Sequence, residues 1–299
     1  MESFRLKVFR SVAKHLSFTK AANELFISQP AVTKNIQSLE NELEIRLFER
    51  FGNKINLTSA GNILADYANK SFVLLLDLEN RLNFFREDKS GLIRIGASTT
   101  IAQYVIASAL SKYHKKFPEV KISLISGNSE RIANALIKGE IDLGIVEGKV
   151  KDHDIHYSKF TSDELVAVTG ANNRAIKNEI DINELIKTAI ILRERGSGTL
   201  EVFEHAIKNK NIKLSSLNII MYLGSTEAIK QYLENDNCIG FLSTKAIEKE
   251  IRKGILRIIK IKGLRITRTF EFITPQGSGF SELTKQFIRI AKMQITKSN

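Results

Sequence analysis

The spacing of apolar residues changes once along the chain, near Gly91, and this change constrains the fold more than any other feature. Up to that residue apolar side chains recur every three or four positions, which is typical of helices. Beyond it, short β-rich runs alternate with helical segments, which is typical of α/β domains with a largely parallel sheet. The sequence therefore predicts an all-α N-terminal module followed by a larger α/β domain, a division that suits 299 residues.

Three helical patterns follow one another within the first sixty residues. The first has an apolar face between Leu6 and Leu16, a short second helix is expected at 20–25, and a third opens after Ser28. Pro30 is tolerated in the first turn of that third helix, where its missing N–H costs nothing. Small and hydrogen-bonding residues remain outside the apolar stripe. A short helix, a tight turn and a longer helix of this kind predict a helix-turn-helix, which reads the major groove of DNA.

A turn with two cations at 49–54 and a strand-like run at 55–57 predict a small basic wing. Glutamine, threonine and lysine at the start of a recognition helix can bond to base edges or phosphates. The alternative, a helical hairpin packed on another element, does not explain why such residues cluster on one exposed side. The predicted DNA-binding residues are Thr19, Lys20, Ser28, Gln29, Pro30, Ala31, Thr33, Lys34, Gln37, Arg50, Asn53 and Lys54.

A stretch without proline or glycine runs from 62 to 90 and follows Thr58, which can cap a helix. Apolar residues within it alternate spacings of four and three, as in the heptad seam along which two helices pair. Ser71 makes the seam imperfect, and an amphipathic helix lying on the core of its own chain is the alternative. The predicted dimerisation residues are Leu64, Ala68, Leu75, Leu78, Leu82 and Phe85.

Eight short runs beyond Gly91 predict strands, and helices fill the gaps between them. Hydroxyl and glycine residues follow four of these runs, at turns that lead into helices. The eight runs lie at 92–97, 120–125, 141–146, 165–168, 189–192, 217–222, 239–242 and 269–273.

The polar turns after the strands predict a ligand site. In such sheets ligands bind beyond the carboxyl ends of the strands, where helix N-termini present free N–H groups to anions. Helix capping alone explains any single turn. Four such turns, each between a strand and a helix, favour the binding of a small anion such as a carboxylate, a sulfur oxyanion or a phosphorylated metabolite. The predicted effector-binding residues are Ser98, Thr99, Thr100, Asn128, Gly196, Ser197, Thr199, Ser225 and Thr226.

Matches in order over the first sixty residues resemble the N-terminal signature of LysR-type transcriptional regulators. The matching segments are 17–22, Leu25, 28–33, 39–40, 47–50 and 57–61. The resemblance implies a winged helix-turn-helix at 1–58, a linker and dimerisation helix at 59–90, and a two-lobed effector domain at 91–299 like a periplasmic binding protein. Lobe I is expected at about 91–161 and 268–299, and lobe II at about 162–267.

The same resemblance implies partners. It predicts a homodimer or homotetramer on an inverted-repeat site in double-stranded DNA, a small-molecule effector between the lobes, and contact with RNA polymerase. Segments 193–199 and 224–229 also resemble those of LysR-type regulators of sulfur and carbon assimilation.

Several other classes of protein fit the composition less well. Cys238 is the single cysteine, which excludes intrachain disulfides and cysteine-rich zinc sites. No apolar window reaches the roughly 18 residues of a membrane span, and the N-terminus lacks a secretory signal. Glu201 replaces the third glycine of a dinucleotide fingerprint, and Ala97 replaces the lysine of a P-loop. We therefore expect a cytoplasmic protein without metal or cofactor and without enzymatic activity.

The charge is weaker evidence for DNA binding than its total indicates. The net charge is +12, but residues 1–57 hold nine Lys/Arg against six Asp/Glu, whereas 245–299 hold thirteen against four. Two rivals therefore stay open. One is a cytosolic α/β enzyme with a helical appendage, which requires an acid-base constellation in its cleft. The other is a periplasmic solute-binding protein, which the helix-turn-helix pattern argues against.

Overall fold

The structure of the protein is a computed structural model that describes residues 3–51, 54–84, 91–148, 151–277 and 281–296. Its internal contacts divide the chain into two compact units, with the boundary between Leu82 and Asn83. Each unit has its own hydrophobic core. Helices followed by an α/β unit are the arrangement that the sequence predicts.

The described part of the first unit contains four helices and a two-stranded hairpin. Its elements are α1 (Phe4–His15), α2 (Phe18–Leu25), α3 (Gln29–Leu43), β1 (Phe48–Phe51), β2 (Lys54–Leu57) and α4 (Ser59–Phe84). Ser17 Oγ accepts a hydrogen bond from Lys20 N, and Ser28 Oγ accepts one from Ala31 N. Because Ser17 provides the cap, α2 begins at Phe18, two residues earlier than expected.

A buried carboxylate joins α3 to the wing hairpin. Glu40 Oε1 accepts hydrogen bonds from the backbone N–H groups of Leu47, at 2.7 Å, and Phe48, at 3.2 Å. Glu40 Oε2 accepts a third bond from Arg46 Nη1 at 3.2 Å. The Phe48 ring packs against that of Phe9, with centroids 5.4 Å apart. Since hydrogen bonds to a charged acceptor are the strong ones, Glu40 fixes the start of β1 against α3.

The long helix α4 begins where the sequence predicts a cap. Thr58 Oγ1 accepts a hydrogen bond from Gly61 N at 3.0 Å and donates one to Arg46 O at 2.8 Å. A Cβ at Gly61 would lie 2.1 Å from the carbonyl oxygen of Leu47, so a larger residue does not fit there. The start of α4 is thereby held against the wing.

The predicted dimerisation residues fall into two groups along α4. Leu64 and Ala68 pack into the core of their own module, as the alternative of a helix lying on its own chain describes. Leu75 is half-buried, and Phe85 lies outside the described residues. The exposed leucines of the second half lie four residues apart and are Leu74, Leu78 and Leu82. Pairing of two chains along this second half stays a prediction.

The described part of the second unit is built on a mixed sheet. Its elements are β3 (Gly91–Ser98), α5 (Thr99–Tyr104), α6 (Ala107–Lys116), β4 (Val120–Gly127), α7 (Ser129–Ile137), β5 (Leu143–Glu147), β6 (Ile155–Gly170), β7 (Glu179–Ile180), α8 (Ile182–Lys187), β8 (Ile190–Arg193), α9 (Gly198–Lys208), a 3-10 turn (Leu214–Ser216), β9 (Ile219–Leu223), α10 (Thr226–Leu233), β10 (Ile239–Ser243), α11 (Thr244–Arg252), β11 (Leu256–Ile261), β12 (Ile266–Pro275) and α12 (Glu282–Thr296). The strand order is β4-β3-β5-β12-β6-β10-β8-β9, with β11 paired to β6. The outer three strands on each side are parallel, and β6 and β12 run antiparallel between them.

The two central strands connect two lobes. β6 and β12 pair from Ile155 and Pro275 at one end to Leu165 and Ile266 at the other. The end with Ile155 packs with α7 and β5, and we call this part, with β3 and β4, lobe I. The end with Leu165 packs with α9, β8 and β10, and we call this part lobe II. The chain thus crosses between lobes inside β6 and inside β12, and the expected boundaries near 161 and 268 fall within these strands.

Each of the eight predicted runs overlaps an observed strand, but three features differ. β6 is sixteen residues long, whereas the predicted run 165–168 has four. The earlier part of the strand was not predicted because it contains polar residues that are buried, among them Thr161 and Asp163. β11 was not predicted, since Arg257 and Lys260 interrupt its apolar pattern. The two-residue β7 left no signal.

Candidate DNA-binding surface and effector site

The exposed side of α3 presents a row of hydrogen-bonding side chains. Val32, Ile36 and Leu39 are buried in the module core, which turns the opposite face of the helix outwards. On that face Gln29 Nε2 donates to Thr33 Oγ1 at 3.3 Å, and Thr33 Oγ1 donates to Gln29 O at 3.1 Å. The predicted DNA-binding residues at the exposed surface of α2 and α3 are Thr19, Lys20, Ser28, Gln29, Pro30, Lys34 and Gln37.

The remaining predicted DNA-binding residues lie close to this row or in the wing. Ala31 and Thr33 are half-buried at the start of α3. Arg50 and Lys54 belong to β1 and β2, where Arg50 pairs with Ile55 and Lys54 pairs with Phe51. Asn53 lies outside the described residues. The first turn of α3 contains no acidic residue, so its N–H groups and positive dipole end favour a phosphate.

Three of the four polar turns in the effector domain cap helices. Ser98 Oγ accepts a hydrogen bond from Ile101 N, Asn128 Oδ1 accepts one from Arg131 N, and Ser225 Oγ accepts one from Ala228 N. The capping alternative therefore accounts for these three side-chain oxygens. Ser197 is the N-cap of α9 but accepts no hydrogen bond of this kind.

The turns nevertheless meet at the carboxyl ends of the strands. Ser98 and Gly127 are partners in the parallel pair β3–β4, and Thr99 Oγ1 donates to Gly127 O at 3.1 Å. Asn128 Nδ2 then reaches across to lobe II and donates to Arg195 O at 3.3 Å. Thr100 is buried beside them. The lobe I turns thus face the 195–199 turn of lobe II.

A second set of contacts brings the lobes close together. Glu130 N donates to Gly196 O at 3.2 Å. Gly196 has φ +79, and a Cβ at Gly198 would lie only 2.0 Å from the carbonyl oxygen of Glu147. Glycine is required at both positions, because a side chain would strain the first and would push the lobes apart at the second.

Sequence reasoning missed a buried charge cluster between these turns. Arg268 Nε donates to Asp163 Oδ2 at 2.7 Å, and Arg268 Nη1 donates to Thr199 Oγ1 at 2.9 Å and to Glu147 Oε1 at 3.2 Å. Ser243 Oγ donates to the other oxygen of Asp163 at 2.8 Å. The only signal in the sequence that could have found the cluster is a charged residue within an otherwise strand-like pattern.

Two further buried cations lie in lobe II and were also missed. Arg193 Nη1 donates to Thr226 Oγ1 at 3.2 Å, which ties the end of β8 to the predicted Ser225 and Thr226 turn. Lys230 Nζ contacts Glu227 at 2.7 Å and Glu250 at 2.8 Å. Arg193 also pairs with Glu194 through Nε at 2.8 Å, so both cations already have carboxylate partners.

A tyrosine of lobe I reaches one of these groups. Tyr104 on α5 donates a hydrogen bond to the carboxylate of Glu227 on α10, and its ring lies 5.1 Å from Lys230 Nζ. Burial, and secondarily the hydrogen bond to Glu227, raise the pKa of Tyr104 well above its ordinary value. The phenol therefore remains a neutral donor between the lobes.

A cavity of about 510 Å³ opens between α7 of lobe I and α9 of lobe II. Of the predicted effector-binding residues, Gly196 and Ser197 line it. Its wall also contains charged residues, which are Glu130, Glu147, Lys151, Asp152, Arg195, Glu201, Glu204 and Glu271. The wall is therefore more acidic than the sequence prediction of an anion site implies.

Three further observations concern metal sites, membrane spans and the reactivity of the single cysteine. No group of three or more His, Cys, Asp or Glu side chains is arranged to hold a metal ion within the part of the chain that the structure describes. Nor does any described helix meet the length and hydropathy of a membrane span. Burial raises the pKa of the Cys238 thiol to about 11, which fits an inert core cysteine.

Known proteins resemble this chain along most of its length. The family model "Bacterial regulatory helix-turn-helix protein, lysR family" matches residues 4–62, and "LysR substrate binding domain" matches residues 86–295. A "Probable RuBisCO transcriptional regulator" of Thalassiosira pseudonana is 31% identical over 280 residues, which cover 92% of this chain and 91% of that protein.

Solved structures show the same architecture. Full-length OxyR of Pseudomonas aeruginosa has a TM-score of 0.72 at 18% identity and covers 99% of this chain and 94% of its own. The regulatory domain of CcmR from Synechocystis PCC6803, solved in complex with 2-PG, has a TM-score of 0.62 at 28% identity and covers 69% of this chain and 97% of its own.

Proposed function

Since this chain belongs to the LysR family of DNA-binding transcriptional regulators, we propose that a small metabolite with an anionic group controls it by binding between lobes I and II. The observation that carries the proposal is the meeting of the strand-end turns. Asn128 and Glu130 of lobe I contact the 195–199 turn directly, so a molecule held there contacts both lobes. A ligand that binds one arrangement of the lobes better than another shifts the population towards it.

The anionic group is supported by the chemistry at the strand ends. Arg268 is buried there with Nη2 unpartnered among the described residues, and α7, α9 and α10 begin there, so the positive ends of their dipoles lie at the same edge. The structure of the similar CcmR regulatory domain contains 2-PG, which makes 2-PG the first compound to try. That the effector acts without a cofactor or metal stays part of the proposal.

The DNA partner is proposed to be an inverted repeat read by two copies of α3. The exposed leucines of α4 provide a surface on which two chains can pair, since leucines four residues apart form a stripe along one side of a helix. A tetramer and a contact with RNA polymerase are further steps of the same proposal, supported by the family resemblance alone. A protein of this function acts in the cytoplasm, where the DNA is.

The rival enzyme is not favoured. The family to which the chain belongs consists of transcriptional regulators, and its helix-turn-helix model covers the residues that the rival treats as an appendage.

The test is a selection of genomic DNA fragments by the purified protein, followed by footprinting at two salt concentrations with and without 2-PG. Sequence readout survives the higher salt better than phosphate binding does. We expect a protected inverted repeat whose protection pattern changes with 2-PG or another small organic anion. Only weak, sequence-indifferent protection contradicts the DNA part of the proposal. A specific footprint that no small metabolite alters contradicts the effector part.

A further inference from the structure

A buried arginine and a buried glutamate at the lobe crossover each keep one polar atom without a hydrogen-bond partner among the residues that the structure describes. The atoms are Nη2 of Arg268 and Oε2 of Glu147. The two side chains are 1% and 3% exposed and are joined through Nη1 and Oε1 at 3.2 Å. Leaving water without gaining a new partner costs free energy, so buried polar groups are nearly always bonded. One unmet donor and one unmet acceptor therefore belong to the same ion pair, which fits a ligand that carries both an acceptor and a donor.

The charges of this cluster specify the group that Glu147 needs. The guanidinium of Arg268 faces two carboxylates, those of Asp163 and Glu147, so the cluster has one net negative charge. Asp163 is already bonded to Arg268 Nε and to the Ser243 hydroxyl. Glu147 is therefore the carboxylate that can still accept a hydrogen bond, through Oε2. In surroundings of low dielectric, a cationic donor binds such an oxygen more strongly than a neutral one.

The cavity beside Glu147 favours the same group. Its wall carries six carboxylates and two cations. Both cations are already paired, Lys151 with Glu271 and Arg195 with Glu204. The excess of carboxylates gives the cavity a negative potential, which attracts an ammonium group and opposes a multiply charged anion.

We propose that the effector is an α-amino acid or a closely related zwitterion, with its ammonium group on Oε2 of Glu147 and its carboxylate on Nη2 of Arg268. The inference rests on the proposed function, in which an effector binds between the lobes, and it narrows the class of that effector. The carboxylate supplies the anionic group that the strand ends accommodate. Binding to Glu147 additionally requires an ammonium group, so a dianion without one should bind more weakly.

The first test is a ligand panel on the wild-type full-length protein. The probes are the twenty amino acids one by one, the hydroxy acids lactate and malate, inorganic phosphate and 2-PG, each scored by the shift of the thermal midpoint and then by calorimetric titration. We expect at least one amino acid to bind. Replacement of its amine by a hydroxyl, in the matching hydroxy acid, should weaken binding at least tenfold.

The second test is a pair of matched variants. Glu147→Gln removes the charge that holds the ammonium group and keeps the shape of the side chain. We expect it to lower the affinity for the amino acid at least tenfold. Glu248→Gln makes the same change on α11, outside the lining of the cavity, where the side chain is 71% exposed, and should change the affinity less than twofold. The panel on the wild-type protein decides the proposal even where a variant does not fold.

Two results overturn the inference and are distinguishable from each other. If phosphate or 2-PG binds and no amino acid does, the site is a plain anion site; the proposed function then stands and only the zwitterion is refuted. Tighter anion binding by Glu147→Gln leads to the same conclusion. If no compound of either class binds a protein that still footprints its operator, the effector part of the proposed function fails together with the inference.

Discussion

Replacement of Glu40 should destabilise the DNA-binding module selectively. The Glu40→Ala variant leaves the Leu47 N–H buried without its 2.7 Å partner, and it also removes the bonds to Phe48 and Arg46. An unmet buried donor costs about 1–3 kcal/mol, and a hydrogen bond to a charged group contributes about 1.5–3 kcal/mol. Both ranges include the loss of the same hydrogen bonds and are therefore not added together. We expect the free energy of unfolding to fall by about 3 kcal/mol in total. Glu40→Gln keeps an acceptor of the same length and should lower it by only about 1 kcal/mol.

The assay is a urea titration of the full-length protein followed by circular dichroism, with operator binding measured in parallel. For a small unit that loses roughly 1–3 kcal/mol per molar urea, a destabilisation of about 3 kcal/mol lowers the midpoint of the first transition by about 1–3 M. The second unit serves as an internal control, because its transition should not move. Equal midpoints for wild type, Glu40→Gln and Glu40→Ala would refute the role given to this carboxylate.

Four further changes test other parts of the molecule. Thr33→Ala combined with Lys34→Ala should weaken specific operator binding by about 1–3 kcal/mol for each base that is no longer recognised, with an unchanged thermal midpoint; unchanged operator affinity in a footprint would remove the recognition-helix assignment. Thr100→Val, a buried change of similar volume, should blunt the effector response while DNA binding persists, and a normal response would move the pocket elsewhere. Gly198→Ala places a Cβ 2.0 Å from a backbone carbonyl oxygen of the opposite lobe, so effector affinity measured by calorimetry should fall more than tenfold; an unchanged affinity would show that the lobes need not approach this closely. Because burial raises the pKa of Cys238 to about 11, less than about 1% is thiolate at pH 8, and iodoacetamide should label it only after unfolding; rapid labelling of the native protein would contradict its burial.

Local signals made the helix-turn-helix predictable. Ser28 and Pro30 act within their own turn, and the buried stripe of Val32, Ile36 and Leu39 follows from helical spacing alone. The earlier start of α2 is of the same local kind, since Ser17 caps the helix directly before Phe18. Such features depend on neighbours three or four residues away, which a sequence displays directly.

The charge cluster of the effector domain could not be found in this way. Arg268 bonds to a carboxylate 121 residues earlier, at Glu147, and to another 105 residues earlier, at Asp163. No local pattern couples such distant positions, because the pairing depends on how β5, β6 and β12 align in the sheet. The same limit explains why the polar first half of β6 was not recognised as a buried strand.

The polar turns differ in whether their side chains only cap a helix or also contact the other lobe, and the number of polar atoms in each side chain explains the difference. Asn128 has both an acceptor and a donor in its side chain, so it caps α7 with Oδ1 and reaches Arg195 O with Nδ2. Ser98 and Ser225 each use their oxygen in a cap. A capping residue and a contact between lobes are therefore not exclusive alternatives, which the sequence pattern alone does not reveal. Whether the predicted residues bind an effector stays a prediction.

Helix α4 contributes to the module core and also carries the exposed leucine stripe, which has a consequence for building chimaeric regulators. Ala68 is part of the module core, while Leu74, Leu78 and Leu82 lie further along the same uninterrupted helix. A helix turns by about 100° and rises about 1.5 Å per residue, so one residue inserted between Ala68 and Leu74 rotates the leucine stripe by about 100° relative to α3. A graft that exchanges DNA-binding modules must therefore keep the number of residues between Ala68 and Leu74, because this number sets the angle between the recognition helix and the leucine stripe.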